Sequence, residues 1–149
     1  MRRRVKVTEK ASRKDAKAQR AQRENEISRV VLDEAIALHR ALGPGLLESV
    51  YEAILVKKLL DRGYDVKRQL PIPLAYDGMQ FDVAFRADVV IEEKVLLELK
   101  SVEQITNAHR KQLVTYLKLS GLKLGLLLNF SADLMTQGIV RVVNQLDDQ

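Results

Sequence analysis

The sequence predicts an α/β fold of the α+β type: a mixed β-sheet flanked by helices, in the order α-α-β-β-β-α-β with one further strand at the end. Three observations predict it. Two apolar patterns of helical spacing stop at Gly43-Pro44-Gly45 and at Gly63. Three extended segments then follow one another between Val66 and Lys100 with no helix among them. Last, a helical stretch leads into the almost wholly apolar run Leu124 to Phe130, which is predicted to join the sheet parallel to the preceding strand.

Taken in order, Met1 to Glu24 is a basic arm with ten Lys/Arg, three Asp/Glu and few large apolar residues. Its propensities favour helix but no buried face repeats along it, so it reads as either a helical extension or a disordered arm. The remainder, residues 25–149, carries fifteen basic and seventeen acidic residues. The net charge of +5 therefore resides in the arm, which either tracks phosphates or is a solvated leader. Glu9, Asp15 and Glu24 speak against a mitochondrial presequence. Ile27, Val30, Val31, Ala35, Leu38 and Leu42 mark the first helical face. Leu47, Val50, Tyr51, Ile54, Leu55 and Leu59 mark a second, from about Leu46 to Arg62. Val66 to Ala75 is extended, and Pro71 and Pro73 assign it to a sheet edge. Asp77-Gly78 turns the chain into the next strand from Gln80. Thr106 is the expected cap of a helix over Asn107 to Ser120, ended by Gly121. Asp133 to Thr136 is read as a turn and Ile139 to Val143 as a last strand.

The middle of the chain, F-R-A-D-V-V-I-E-E-K-V-L-L-E-L-K-S from Phe85 to Ser101, carries the chemistry. Two apolar runs flank Glu92-Glu93-Lys94, the pattern of a β-hairpin. With Glu93 at its centre, Ile91 faces Val95, Val89 faces Leu97, and Asp88 faces Glu98. Opposed side chains stand roughly 5 Å apart at Cβ. Two carboxylates at that separation repel by about 3 kcal/mol at an effective dielectric near 20. Lys100, two residues beyond Glu98, offsets part of this, and a hard divalent cation such as Mg²⁺ offsets more. The same residues also fit a hairpin whose polar face is merely solvated. The apolar residues on both faces, however, point to a covered central strand.

There are no cysteines, which excludes disulfides, thiolate-zinc sites and cysteine nucleophiles. No apolar run approaches the ~20 residues of a membrane-spanning helix. One domain and a cytoplasmic location are the expectation.

Gly45-Leu-Leu-Glu48-Ser-Val-Tyr51, introduced by L-G-P-G, is a G-x-x-E-x-x-Y sequence. Together with Arg86-Ala-Asp88, Glu98-Leu-Lys100 and Gln112-Leu-Val-Thr-Tyr116, it makes the chain resemble the GxxExxY proteins of the PD-(D/E)XK nuclease superfamily, over about Ile27 to Val143. The resemblance implies a restriction-endonuclease-like core of helix, three-stranded meander, helix and strand. It implies Glu48, Asp88 and Glu98 as ligands of Mg²⁺ or Mn²⁺, Lys100 as the catalytic lysine, and Gln112 with Tyr116 as a Q-x-x-x-Y pair in which Gln112 positions substrate or water and Tyr116 either packs, with a hydroxyl tip, or binds substrate. The activity implied is hydrolysis of phosphodiester bonds in nucleic acid, with DNA as the expected substrate and a homodimer if both strands of a duplex are cut. Arg86 is a candidate phosphate contact on the Asp88 strand, and His109, in the first turn of the later helix, another. His39 and His109 have structural readings as well. A non-catalytic nucleic-acid-binding or protein-interaction module that retains the fold is the alternative.

Overall fold

The apolar stripe from Ile27 lies within a helix that is already running when it begins. The structure, a computed structural model, describes residues 2–146, with side chains from Ser12. In it α1 spans Arg2–Leu42. Ala21 and Glu24 are its first buried side chains, followed by Ile27, Val31, Ala35 and Leu38. The order then continues through α2 (Glu48–Asp61), β1 (Val66–Tyr76), β2 (Met79–Ile91), β3 (Val95–Lys100), α3 (Asn107–Ser120) and β4 (Leu124–Asn129). A short 3₁₀ turn (Met135–Gln137) precedes β5 (Ile139–Val143). This is the predicted order, and the expected turn near Asp133–Thr136 is that 3₁₀ turn displaced by about two residues.

The sheet is five-stranded in the order β1-β2-β3-β4-β5. β3 and β4 are parallel and the other neighbours antiparallel, so the proline-bearing β1 is an edge and β3 is central. Val95 to Glu98 and Leu99 are all buried because both sheet faces are covered. On one face Val89, Ile91, Leu97 and Leu99 pack with Ile27, Val31, Tyr51, Leu55 and Leu59 of α1 and α2. On the other, Val90, Leu96 and Leu127 pack with Leu113 and Leu117 of α3. A Cβ on Gly125 would stand 3.0 Å from the Leu113 side chain, so a glycine there lets α3 lie close on β4.

α2 departs from expectation at its start. It begins at Glu48 rather than Leu46, and Leu47 and Val50 are exposed (74% and 38%) instead of facing the core. The Leu46 N–H donates to the Tyr51 hydroxyl (3.1 Å) rather than entering a helical turn, which fixes the loop before the helix. Past the irregularity between Ile72 and Leu74 the β1–β2 hairpin runs out from the core, leaving Tyr76, Met79, Phe81 and Val83 exposed. No helix among the described residues is long and apolar enough to cross a membrane.

Candidate functional site

The predicted hairpin register is present: Ile91 pairs with Val95, Val90 with Leu96 and Val89 with Leu97. The ladder then stops, although β3 continues beside β4 as far as Lys100 opposite Asn129. Inward–outward alternation of β2 also slips here, since Ala87 packs on the α3 side, Val89 on the opposite side, and Val90 again on the α3 side. Where the strands part, carboxylates take over from backbone carbonyls. The Leu99 N–H donates to Asp88 Oδ2 (2.9 Å) and the Asp88 N–H to Glu98 Oε1 (3.4 Å). Asp88 and Glu98 thus meet across the wedge between β2 and β3.

Both carboxyls are held above the usual carboxylate range. Burial is the main cause for Asp88, with the Glu52 charge adding to it. Glu98 is pushed up to about 8, first by burial and then by Asp88. Lys100, half-buried, pulls both downward through its charge but forms no ion pair within 4 Å among the described residues.

Glu48 reaches the same end of β3 from α2: its carboxylate accepts the Ser101 N–H at 2.9 Å. The G-x-x-E-x-x-Y spacing explains how. Gly45 has φ +105°, a conformation that L side chains rarely adopt, and so turns the loop toward the strand end. Tyr51, fully buried, donates from its hydroxyl to the Gly43 carbonyl (2.5 Å) and stacks on Phe130 with ring centroids 4.3 Å apart. The tyrosine pins the loop, and the loop sets Glu48.

Two participants were not singled out from the sequence as site residues. Glu52, one turn after Glu48 and buried, accepts from Arg68 Nε (3.1 Å) and from Gln69 Nε2 (3.1 and 3.3 Å). Gln69 also lies 3.5 Å from Asp88 Oδ1 and adopts φ +48°, an uncommon conformation for a non-glycine residue. The four-residue spacing of Glu48 and Glu52 was the available signal; nothing local marks Gln69.

The other predicted residues are placed less uniformly. Tyr116 is half-buried and stacked flat on Phe85 at 3.8 Å. Its hydroxyl is pushed up by burial and by the Glu98 and Asp88 charges, so it borders the carboxylate pair. Gln112 is exposed one turn earlier, with no hydrogen bond from its amide among the described residues. Arg86 is likewise exposed and makes no ion pair or side-chain hydrogen bond there. His109 is committed to the backbone: its Nδ1 accepts the Thr106 N–H (3.0 Å) while Thr106 caps α3 in return. His39 is buried, with Nε2 2.9 Å from the Ala132 carbonyl to which it donates.

A divalent cation such as Mg²⁺ needs hard oxygen donors. Asp88 and Glu98 supply hard oxygen ligands with the Lys100 charge nearby, and the buried Ser101 Oγ, next to Lys100 in sequence, has no hydrogen-bond partner among the described residues. Among the described residues no three Asp, Glu, His or Cys side chains form a ready-made cage. Two carboxylates completed by water and phosphate is the usual coordination pattern of Mg²⁺, and these residues fit it.

The Glu98 proton has a measurable consequence. The folded protein retains it between the ordinary value of 4.5 and about 8, where the unfolded chain has lost it. The unfolded state therefore binds fewer protons in this window, and stability falls as pH rises through it. Denaturation midpoints in chelator are expected to decline from pH 5 to 8, and the decline to shrink in Glu98→Gln. Equal slopes for the two proteins would refute the assignment.

Comparison with known proteins agrees with this fold. No curated protein matches the chain significantly. The fold is similar to that in the crystal structure of SSO0001, with a TM-score of 0.51 at 19% identity over 66% of this chain. The chain spans 50% of the length of that protein. A family model described as the PD-(D/E)XK nuclease superfamily matches residues 25–142, from within α1 to all but the last residue of β5. On that match the chain belongs to the PD-(D/E)XK nuclease superfamily, whose members are generally nucleases.

Proposed function

We propose that the protein is a metal-dependent nuclease that hydrolyses phosphodiester bonds of nucleic acid, with DNA as substrate. The observation that carries the proposal is the meeting of Asp88 and Glu98 at the parted end of β2 and β3, with Lys100 beside them. Bound by these two carboxylates, Mg²⁺ or Mn²⁺ would supply positive charge at the phosphoryl group and acidify the attacking water. Asp88 and Glu98 are held in place by backbone N–H groups, so little reorganisation is needed when they ionise. Lys100, without an ion-pair partner, stabilises charge that develops on the phosphoryl oxygens. Glu48 stands at the rim, where it orders water or completes the ligand shell. Tyr116 forms the wall next to the pair, and Gln112 and Arg86, both exposed, contact the incoming strand.

The basic segment 1–24 supplies general attraction to phosphates, and the domain over 25–149 the chemistry. The G-x-x-E-x-x-Y loop supports assigning the protein to the GxxExxY group of the superfamily. A cytoplasmic enzyme, dimeric when it cuts both strands, completes the proposal.

Thermal melting with and without Mn²⁺ tests the metal site directly. At about a hundred times its dissociation constant the ion should stabilise the wild type by ~2.7 kcal/mol, and Asp88→Ala should show no shift. The same shift in both proteins would remove the site.

A further inference from the structure

Gln69 stands opposite Asp88 in the β1–β2 hairpin: Arg68 pairs with Val89 and Leu70 with Ala87, and the pairing steps over the position between them. There the φ of Gln69 is +48°, which takes it out of the extended conformation in the middle of a strand. A glutamine at positive φ is unfavourable and persists only where its surroundings over-determine it. Its side chain supplies that constraint. Nε2 carries two N–H groups, and three carboxylate oxygens surround it: Oε2 and Oε1 of Glu52 at 3.1 and 3.3 Å, and Oδ1 of Asp88 at 3.5 Å.

The two carboxylates that share this amide differ in what else they do. Glu52 is buried, and Arg68 Nε donates to its Oε1 at 3.1 Å while Gln69 donates to both of its oxygens. Its acceptors are thus used within the protein, which makes it an anchor for the amide. Asp88 belongs to neither of the ladders on its two sides, since the β2–β3 pairing ends at Val89 and Leu97. Its Oδ2 accepts the Leu99 N–H (2.9 Å) and its Oδ1 faces Gln69, so these two contacts set the plane of the carboxyl group. Carboxylate ligands of a metal are themselves fixed by hydrogen bonds, and losing such a partner typically costs roughly 10–100-fold in metal affinity or activity. We propose that Gln69 is a positioning residue, whose amide bridges Glu52 to Asp88 and holds the Asp88 carboxyl in the orientation that a divalent cation meets. The proposal rests on the metal-dependent reading of the site.

Calorimetric titration of the full chain with Mn²⁺ tests this in two variants. Gln69→Gly accepts the positive φ and removes the amide, and Gln69→Met keeps the length of the side chain without its donors. Both are expected to bind Mn²⁺ about tenfold more weakly than the wild type. Circular dichroism checks that they are folded, and either folded variant suffices. In cleavage assays the Mn²⁺ concentration at half-maximal rate should rise by the same factor, while the rate at saturating Mn²⁺ stays near that of the wild type. The side-chain NH₂ resonances of Gln69, identified by their loss in Gln69→Gly, should shift when Mg²⁺ is added to the wild type and stay still in Asp88→Ala. A glutamine that only occupied the acceptors of Glu52 would not respond in either protein. Wild-type Mn²⁺ affinity in both variants would overturn the assignment and leave the metal site standing. Unchanged affinity with a lower saturated rate would move Gln69 to the substrate, which also overturns it. A wild type that binds no Mn²⁺ would end the metal reading and the positioning role together.

Discussion

Glu98→Ala is expected to abolish Mn²⁺-dependent cleavage of DNA, and Lys100→Ala to lower it by about 10²–10³-fold, the usual cost of removing one group that stabilises transition-state charge. Neither loss should come from unfolding. Glu98 is a buried carboxyl pushed up to about 8 and repelled by Asp88, so its removal relieves an unfavourable burial. Glu98→Ala is therefore expected to melt no lower than the wild type in chelator while being inactive, the pattern of a residue retained for function at a cost in stability. Lys100→Ala removes the nearby cation and leaves the two carboxyls less compensated, so it should be slightly less stable. A gel assay on labelled single- and double-stranded DNA, paired with thermal melts, separates these effects. Wild-type cleavage in both variants would dispose of the proposed chemistry, whatever the melts show.

The second large effect is on the fold itself. Tyr51→Ala should cost about 3–5 kcal/mol, as removal of a fully buried aromatic ring does, because the ring is stacked on Phe130 and has no exposure. For a chain of this size that is a fall in melting temperature on the order of 10 °C or more. Tyr51→Phe isolates the hydroxyl, which joins the Gly43 carbonyl and the Leu46 N–H. It should cost about 1–3 kcal/mol and loosen the loop that presents Glu48 to Ser101. The signature is a folded protein with reduced cleavage. A Tyr51→Phe variant as stable and as active as the wild type would mean that the tyrosine only fills space.

Much of this molecule was legible before any coordinates. The hairpin register followed from a charged break between two apolar runs, because a one-residue slip would turn every buried side chain of the strand outward. Gly63 and Gly121 ended their helices where expected, Thr106 capped α3, and the prolines put β1 at the edge. Each of these depends on residues a few positions apart, and so can be read locally. That Asp88 comes near Glu98 was legible from the same hairpin, although the ladder stops at Val89 and Leu97 and the expected cross-strand pairing of the two is replaced by bonds from carboxylates to backbone N–H groups.

The tertiary structure decided what depends on distant elements. The parting of β2 from β3 beyond Val89 and Leu97 sets the site, because carboxylates there take the place of the backbone ladder. The bond from Glu48 to Ser101 spans 53 residues, and the contact between Gln69 and Glu52 requires α2 to lie against β1. His109 was within reach of a phosphate by position alone, whereas the structure shows its ring engaged by the helix cap. The burial of Glu24 depends likewise on α1 packing beside two strand ends far away in sequence. Sequence fixes which face a side chain takes within its own element. Burial and charge environment arise only once separate elements close on one another, and they decide which carboxylates are merely solvated and which remain poised to bind.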